Sequence, residues 1–215
     1  MATKTRTIVY IDGFNLYYGA VKGTPHKWLN LDRYFSILLS NNDIRQIRYF
    51  TALVNGPPRA RQLAYLDALA TTPLVKIEYG KFKPKTIRCR CGDCPRSDEH
   101  HFPGVEEKRT DVAIAVRMLE DVVAGACDQV VIVSGDSDLV PGVEGVRRLA
   151  PRVRIVVYVP ANPNLSNADK RKRAAELRQA AHDGRILPNE FIPQSQFPNP
   201  VVRADGTEIA KPATW

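Results

Sequence analysis

Two short segments of the chain place carboxylates directly after a run of apolar residues. Residues 130–133 (Val-Val-Ile-Val) precede Ser-Gly-Asp-Ser-Asp at 134–138, and residues 8–11 (Ile-Val-Tyr-Ile) precede Asp-Gly-Phe-Asn at 12–15. A short apolar run bounded by turn residues is typical of a strand buried on both faces of a parallel sheet. Ligands of such sheets bind where the strands end. The segments therefore predict crowded aspartates at one sheet edge, where Mg²⁺ or Mn²⁺ relieves their repulsion and acts on phosphate.

Each candidate residue also has an ordinary structural interpretation. Asp12 precedes a glycine and can stabilise its own turn, and Asp138 is a suitable N-cap for the helix that follows it. Asn15 lies about one helical turn beyond Asp12, so its amide can face the same rim. Asp111 begins an amphipathic helix, where negative charge also favours the helix dipole. For Asp136 and Asp138 together, beside a second strand that ends in aspartate, a purely structural role is the weaker interpretation.

The segments that must position these residues alternate between strands and helices. Besides the two strands above, the pattern predicts strands over 44–54, 74–79 and 153–159, and helices over 14–20, 29–39, 56–70, 110–124, 138–149 and 167–182. Such alternation predicts an α/β fold whose parallel sheet is covered by helices on both faces. In the helix over 110–124, the predicted buried stripe consists of Val112, Ala115, Val116, Leu119, Val122 and Val123.

A cysteine- and histidine-containing insert interrupts this alternation at about residues 81–107. Its potential ligands for a structural Cys₃His zinc site are Cys89, Cys91, Cys94, His100 and His101. Reduced surface thiols are the alternative interpretation. We therefore expect one domain over 1–184 that contains this insert. A Pro-rich C-terminal extension over 185–215 would either wrap around the domain or be mobile.

The charge balance predicts a polyanionic partner. The 215-residue chain has a formal net charge of +8, and a basic surface around an acidic pocket suits a protein that holds phosphates and cuts them. The insert is basic through Lys81, Lys83, Lys85, Arg88, Arg90 and Arg96, and residues 170–173 form a second basic run. Phe82 and Phe102 offer faces on which unpaired bases can stack. We expect a cytoplasmic protein, since no apolar stretch approaches the roughly 20 residues of a membrane span and no signal-peptide core is seen.

Other phosphate and ester chemistries fit the same residues less well. A haloacid-dehalogenase-type phosphatase needs a second aspartate two residues after Asp12, where the chain has Phe14. A Gly-Asp-Ser esterase would use Ser137 as its nucleophile and an aspartate three residues before a histidine. Gln179 occupies that position before His182, so the triad lacks its carboxylate. The chain has no Walker A loop and no GxGxxG motif.

Three sequence blocks resemble the signature of the NYN family, a branch of the PIN-like nucleases. They are residues 8–15 (Ile-Val-Tyr-Ile-Asp-Gly-Phe-Asn), 107–112 (Glu-Lys-Arg-Thr-Asp-Val) and 133–138 (Val-Ser-Gly-Asp-Ser-Asp). The resemblance implies a PIN-like three-layer α/β/α sandwich and Mg²⁺- or Mn²⁺-dependent cleavage of RNA. It also implies an acidic site composed of Asp12, Asp111, Asp136 and Asp138, with Asn15 assisting. The insert lies outside the common core.

A mechanistic hypothesis follows from this site. Asp12, Asp111 and Asp136 would bind one metal, and Asp138 would share a second or orient a water, giving a 5′-phosphate and a 3′-hydroxyl by in-line displacement. The alternative is a non-catalytic RNA-binding or regulatory scaffold with the same fold, and a phosphatase or DNA nuclease is a lesser candidate. The expected partner is RNA, either single-stranded or structured with unpaired regions, and a second copy of the chain or a regulatory protein is a further partner class.

Overall fold

The computed structural model describes residues 3–88, 101–162, 164–166 and 174–215. Its strands are β1 (Thr5–Asp12), β2 (Asn42–Thr51), β3 (Val75–Tyr79), β4 (Lys81–Arg88), β5 (His101–Lys108), β6 (Gln129–Val133), β7 (Arg154–Val159), β8 (Asp183–Ile186), β9 (Val201–Val202) and β10 (Glu208–Ile209). Its α-helices are α1 (Gly13–Leu16), α2 (Leu31–Leu38), α3 (Pro58–Ala70), α4 (Thr110–Val123), α5 (Val140–Leu149) and α6 (Ala175–Ala180). A π-helical turn, Tyr17–Val21, extends α1, and a 3₁₀ turn, Ser137–Leu139, precedes α5.

A six-stranded sheet with the order β3-β2-β1-β6-β7-β8 forms the centre of the molecule. All of its neighbouring strands run parallel. The chain builds outward from β1 through β2 to β3, then returns to place β6 on the other side of β1 and builds outward again. The order of the strands therefore reverses between β1 and β6, which is the position where open α/β sheets bind ligands. The predicted α/β fold with a central parallel sheet is confirmed.

Alternate residues of the central strands face two separate hydrophobic clusters. Val9 and Ile11 of β1 belong to the cluster that packs against α1, α2 and α3. Ile8 and Tyr10 belong to the opposite cluster, which packs against α4, α5 and α6. Because side chains alternate across a strand, an apolar run such as Ile-Val-Tyr-Ile has residues for both faces. Helices thus cover the sheet on both sides, and no helix of the described ranges is long and apolar enough to cross a membrane.

The buried face of α4 differs from the predicted stripe. Its buried residues are Thr110, Ile114, Met118 and Val122. Val112 and Val123, which the sequence analysis placed in the core, are 69% and 68% exposed. The helix has apolar residues around most of its circumference, so hydrophobic periodicity alone did not select the face that meets the sheet. Of the predicted stripe, Ala115 and Leu119 instead lie close to Gly142 and Gly145 of α5, and Val122 is buried.

Five strands of the structure were not predicted: β4, β5, β8, β9 and β10. Strands β4 and β5 form an antiparallel hairpin between β3 and α4, with Lys81 paired to Lys108 at its base. Strand β8 forms one edge of the sheet by pairing with β7, and it extends across the position after Gly184 where the sequence analysis places the end of the domain. Of the helix expected over 167–182, positions 167–173 lie outside the described residues, and the described part contains α6, which ends at Ala180.

The Pro-rich segment after β8 packs along the side of the molecule that carries α2. Leu187, Ile192 and Phe197 of this segment are buried in the same cluster as α2 and α3. The indole of Trp28 donates a hydrogen bond to the Pro198 carbonyl at 3.0 Å, and the Tyr34 hydroxyl donates to the Pro188 carbonyl at 2.8 Å. The segment therefore completes the hydrophobic core on this face.

A half-buried ion-pair network connects α4 to the first three strands. Asp121 of α4 accepts two hydrogen bonds from the Arg48 guanidinium of β2, both at 2.8 Å, and one from the Tyr10 hydroxyl of β1 at 2.7 Å. Arg48 also pairs with Glu78 of β3 at 3.0 Å, and Glu78 in turn accepts a hydrogen bond from Arg117 of α4. These contacts cross four elements, so they fix the position of α4 relative to the sheet.

We expect Asp121→Asn to lower the free energy of unfolding by about 3 kcal/mol, since it leaves the guanidinium of Arg48 with only one carboxylate partner in a poorly hydrated site. Both side chains are only 14% exposed. The matched control is Asp43→Asn, whose exposed pair with Arg45 should contribute less than about 1 kcal/mol. Urea unfolding followed by circular dichroism gives both values, and equal losses in the two variants would contradict the assignment.

Candidate metal centre

The end of β1 holds Asp12 in a buried position. Asp12 is 4% exposed and is the N-cap of α1. Its Oδ1 accepts a hydrogen bond from the backbone N–H of Asn15 at 2.9 Å, and its Oδ2 accepts one from the Asn15 side-chain amide at 2.6 Å. The expected turn-stabilising role of Asp12 is therefore present, and Asn15 lies against the same carboxylate.

The end of β6 is joined to the end of β1 by side-chain hydrogen bonds. The Ser134 hydroxyl, which is fully buried, donates to Oδ2 of Asp12 at 3.1 Å and accepts from the backbone N–H of Asp136 at 3.1 Å. The backbone N–H of Gly135 donates to the Asn15 side-chain oxygen at 3.0 Å. Both polar atoms of the Asn15 side chain are thus used to connect the two strand ends. Asp12, Asn15, Ser134, Gly135 and Asp136 form one hydrogen-bonded frame at the switch point, which is the position between β1 and β6 where the strand order reverses.

Three carboxylates meet on this frame. Asp111, Asp136 and Asp138 each offer an oxygen within 4.8 Å of the other two, and the described residues contain no other such group of histidine, cysteine or acidic side chains. Asp136 and Asp138 follow β6, and Asp111 comes from the first turn of α4. The capping role expected of Asp138 belongs to Asp136, whose Oδ1 accepts a hydrogen bond from the Asp138 backbone N–H at 3.0 Å. Asp138 is exposed.

Burial and mutual repulsion shift the protonation equilibria of this cluster. Burial, followed by the charges of Asp136, Asp12 and Asp138, raises the pKa of Asp111 from 3.8 to about 6. Burial also raises the pKa of Asp12, although hydrogen bonds from Asn15 and Ser134 oppose the rise. Asp12 is outside the group of three that meets within 4.8 Å, but its charge acts on Asp111. The site is therefore a region of concentrated negative charge, which a cation would relieve.

Glu107 is an acidic residue near the site to which the sequence analysis assigned no role. It lies on β5, is half-buried, and accepts a hydrogen bond from the Thr110 hydroxyl. Burial, followed by the charges of Asp12 and Asp111, raises its pKa from 4.5 to about 7. Glu107 lies four residues before Asp111, which in the sequence was only a weak signal that it lies near the site. Its environment depends on how β5 packs.

A tight connection brings β5 and α4 together at this point. Arg109 is the single residue between them and has a φ of 83°, a left-handed conformation that is uncommon for residues with a side chain. Gly80 lies against the first turn of α4, and a Cβ at this glycine would be 2.5 Å from the Thr110 hydroxyl oxygen. The close approach of the β3–β4 junction to α4 therefore requires glycine there.

The structure describes only part of the predicted zinc site. Cys89, Cys91, Cys94 and His100 lie outside the described residues. His101 is exposed at the start of β5 and pairs with Arg88 at the end of β4. The segment that contains the cysteines thus connects two paired strand ends, and a structural zinc there remains a prediction.

The basic residues of the insert fall into two groups in the described hairpin. Lys85 and Lys108 both form ion pairs with Glu106, whereas Lys81 and Lys83 form none with the described carboxylates. Phe82 packs edge-to-face on Phe14 at 5.6 Å between ring centroids, which attaches the hairpin to the residues that follow Asp12. Phe102 is 40% exposed. Arg90, Arg96 and the run at 170–173 lie outside the described residues.

We expect Glu107→Gln to reduce the pH dependence of stability in metal-free protein. Because the folded-state pKa of about 7 is above the ordinary 4.5, this group stabilises the fold at low pH and loses that contribution as the pH rises through about 7. The variant should therefore raise the melting temperature by a few degrees at about pH 8 and much less at about pH 5. Thermal melts in EDTA, with the exposed Glu144→Gln as control, measure this. If Glu107→Gln changed the melting temperature by the same amount at both pH values, the assigned environment of Glu107 would be wrong.

Comparison with known proteins agrees with this architecture. The model of the NYN domain family matches residues 6–184. A curated relative, the 6-hydroxy-3-succinoylpyridine 3-monooxygenase HspA of Pseudomonas putida (strain DSM 28022 / S16), is 30% identical, with 96% of this chain and 80% of the relative covered. A solved structure of a protein of unknown function, VPA0982 from Vibrio parahaemolyticus RIMD 2210633, has a TM-score of 0.53 and 18% identity. The match covers 89% of this chain and 99% of the Vibrio parahaemolyticus chain. Because the identity is low, the likeness concerns the fold alone. The chain belongs to the NYN domain family.

Proposed function

We propose that this protein is a Mg²⁺- or Mn²⁺-dependent ribonuclease that hydrolyses phosphodiester bonds in RNA. The observation that carries the proposal is the meeting of Asp111, Asp136 and Asp138 within 4.8 Å at the switch point of the sheet. Membership of the NYN family, whose members are generally nucleases, supports the same chemistry. The net charge of +8 around a local concentration of carboxylates fits a polyanionic substrate.

The residues present fit a hard divalent cation. Mg²⁺ takes oxygen ligands at about 2.1 Å, so two of its ligands lie roughly 3–4 Å apart, close to the spacing of the three carboxylates. Asp12 accepts three hydrogen bonds, and a carboxylate has about four lone-pair sites. One acceptor site of Asp12 is thus left for a cation or its water. In our proposal Asp111, Asp136 and Asp138 hold the cation, and Asp12 completes the set.

Asp138 and Asn15 would have tasks in hydrolysis beyond direct binding of the cation. A bound cation supplies Lewis-acid polarisation of the phosphate and a lower pKa for water. Asp138, as the exposed member of the cluster, would face the substrate and orient the attacking water. Asn15 would act as a positioning residue, since its amide holds Asp12 and the backbone of Gly135. The proposed products carry a 5′-phosphate and a 3′-hydroxyl.

The name of the Pseudomonas putida relative favours a second candidate, a monooxygenase acting on a hydroxypyridine. The described residues form a cavity with aromatic walls near Asp12, and a hydroxypyridine ring would fit in it. Oxygen insertion would consume O₂ and an external two-electron reductant and release water, whereas hydrolysis of RNA needs neither. Oxygen uptake with 6-hydroxy-3-succinoylpyridine and NADH therefore separates the two candidates.

We expect the purified protein to cleave end-labelled single-stranded RNA with Mn²⁺ or Mg²⁺, and EDTA to abolish cleavage. Asp136→Asn should lower turnover by at least about 100-fold while RNA binding is retained, because it weakens the cation site without removing the basic surface. Asp43→Asn, at the start of β2 and thus at the opposite end of the parallel strands from the cluster, is the control and should cleave normally. Binding without cleavage by the wild type, across several RNAs and both metals, would instead favour a non-catalytic scaffold.

We also expect Mn²⁺ to raise the melting temperature of the wild type, since it binds the folded state alone. Asn15→Ala should weaken Mn²⁺ binding about 10- to 100-fold, the usual effect of removing a residue that orients metal ligands. Asn41→Ala, an exposed residue of the turn before β2, is the control. Titration calorimetry gives the affinities without relying on activity. Equal affinity in the two variants would exclude a positioning role for Asn15.

A further inference from the structure

A cavity of about 250 Å³ begins at the residues that follow Asp12. Gly13 and Phe14, the two residues after Asp12, form part of its wall. Tyr49 of β2 lies so close to Gly13 that a Cβ there would be 2.7 Å from its ring and hydroxyl, and the charges of Asp12 and Glu107 act on Tyr49. The inner wall of the cavity thus adjoins the acidic frame.

Six aromatic residues line this cavity: Phe14, Tyr17, Tyr18, Tyr49, Tyr65 and Trp215. Tyr18 is 58% exposed and lies nearly parallel to Phe14, with 6.2 Å between the ring centroids and 19° between the planes. Tyr65, which is buried, and Trp215 also line it, with 5.8 Å between their ring centroids. An exposed ring beside other aromatic rings is suited to a flat aromatic ligand, because stacking needs only a π-face.

The charged residues that line the cavity are all cations. They are Lys22, Lys27 and Arg61, and none of them forms an ion pair with a carboxylate among the described residues. The Lys22 ammonium lies 4.5 Å from the centroid of the Tyr18 ring. A cavity that combines aromatic walls with unpaired cations is suited to an aromatic ligand that carries negative charge.

We propose that this cavity binds one unpaired nucleobase of the RNA strand, stacked on Tyr18, with an adjoining backbone phosphate on Lys22 and Arg61. The inference rests on the proposed function, because the bound base belongs to the strand whose neighbouring phosphate reaches the metal centre. The volume is below the roughly 300–1,000 Å³ of pockets for drug-sized ligands, so the cavity suits a single base rather than a larger ligand. A base can enter only when it is splayed out of a helix, which selects single-stranded RNA.

Tryptophan fluorescence reports on this cavity directly. Both tryptophans of the chain are close to it, since Trp215 lines it and Trp28 lies 6.3 Å from Trp215. In EDTA, a nucleoside 5′-monophosphate should quench this emission, and a short single-stranded RNA should quench it at lower concentration. Benzoate, which has a ring and a negative charge but no base, serves as the probe for a small-molecule pocket.

Tyr18→Ala tests the stacking contact, and Tyr79→Ala is its matched control because both tyrosines are 58% exposed and Tyr79 lies outside the cavity. Loss of one stacked base should weaken RNA binding about 5- to 150-fold in Tyr18→Ala and less than about 2-fold in Tyr79→Ala. An RNA of abasic nucleotides should bind weakly to the wild type, and should lose little more affinity in Tyr18→Ala.

Equal RNA binding by the two variants would overturn the inference, and so would quenching by benzoate that RNA does not displace. Either result leaves the proposed ribonuclease untouched if wild-type protein cleaves RNA in a manner that EDTA and Asp136→Asn abolish. Conversely, selective loss of RNA binding in Tyr18→Ala without any cleavage by the wild type would support the base pocket and reject catalysis. The two proposals therefore fail separately.

Discussion

The structure depends on one constraint, which is that several carboxylates are held close together although their charges repel one another. Asp111, Asp136 and Asp138 lie within 4.8 Å of one another beside the buried Asp12. Hydrogen bonds from Asn15 and Ser134 hold the strand-end residues. Asp111 comes from α4 instead, and the ion pairs that connect α4 to β2 and β3 resist its displacement. Repulsion is therefore balanced by contacts within the frame and by a network on the far part of the helix.

The parts of the site that could be predicted from the sequence are those with a local signal. An apolar run followed by aspartate indicates a buried strand with a carboxylate at its carboxyl end. This signal was enough to place Asp12 and Asp136 at the same end of the parallel strands. The same reasoning failed for α4, where Val112 was assigned to the core and is exposed. Periodicity identifies a buried face only when the opposite face is polar, and this helix has apolar residues on both.

The features that were missed depend on residues far apart in the chain. Asp121 and Arg48 are 73 positions apart, and neither has a neighbour in the sequence that indicates the pair. Lys-Phe-Lys-Pro-Lys at 81–85 does alternate as a strand would, yet its proline and its charge concealed the hairpin. Glu107 is remote from Asp12 in sequence, and its raised pKa arises from the way β5 packs beside α4. Burial, rather than residue type, gives these groups their properties.

Charge is divided between two neighbouring parts of the molecule at the switch point. The acidic frame is set by the ends of β1 and β6, whereas the cationic, aromatic cavity is formed by the residues after Asp12, by α3 and by Trp215. Phe14 lines the cavity and packs against Phe82 of the hairpin. In the binding mode proposed above, a change in the cavity or the hairpin would therefore alter the bound molecule while the carboxylates stay in place, because function resides in the site rather than in the fold.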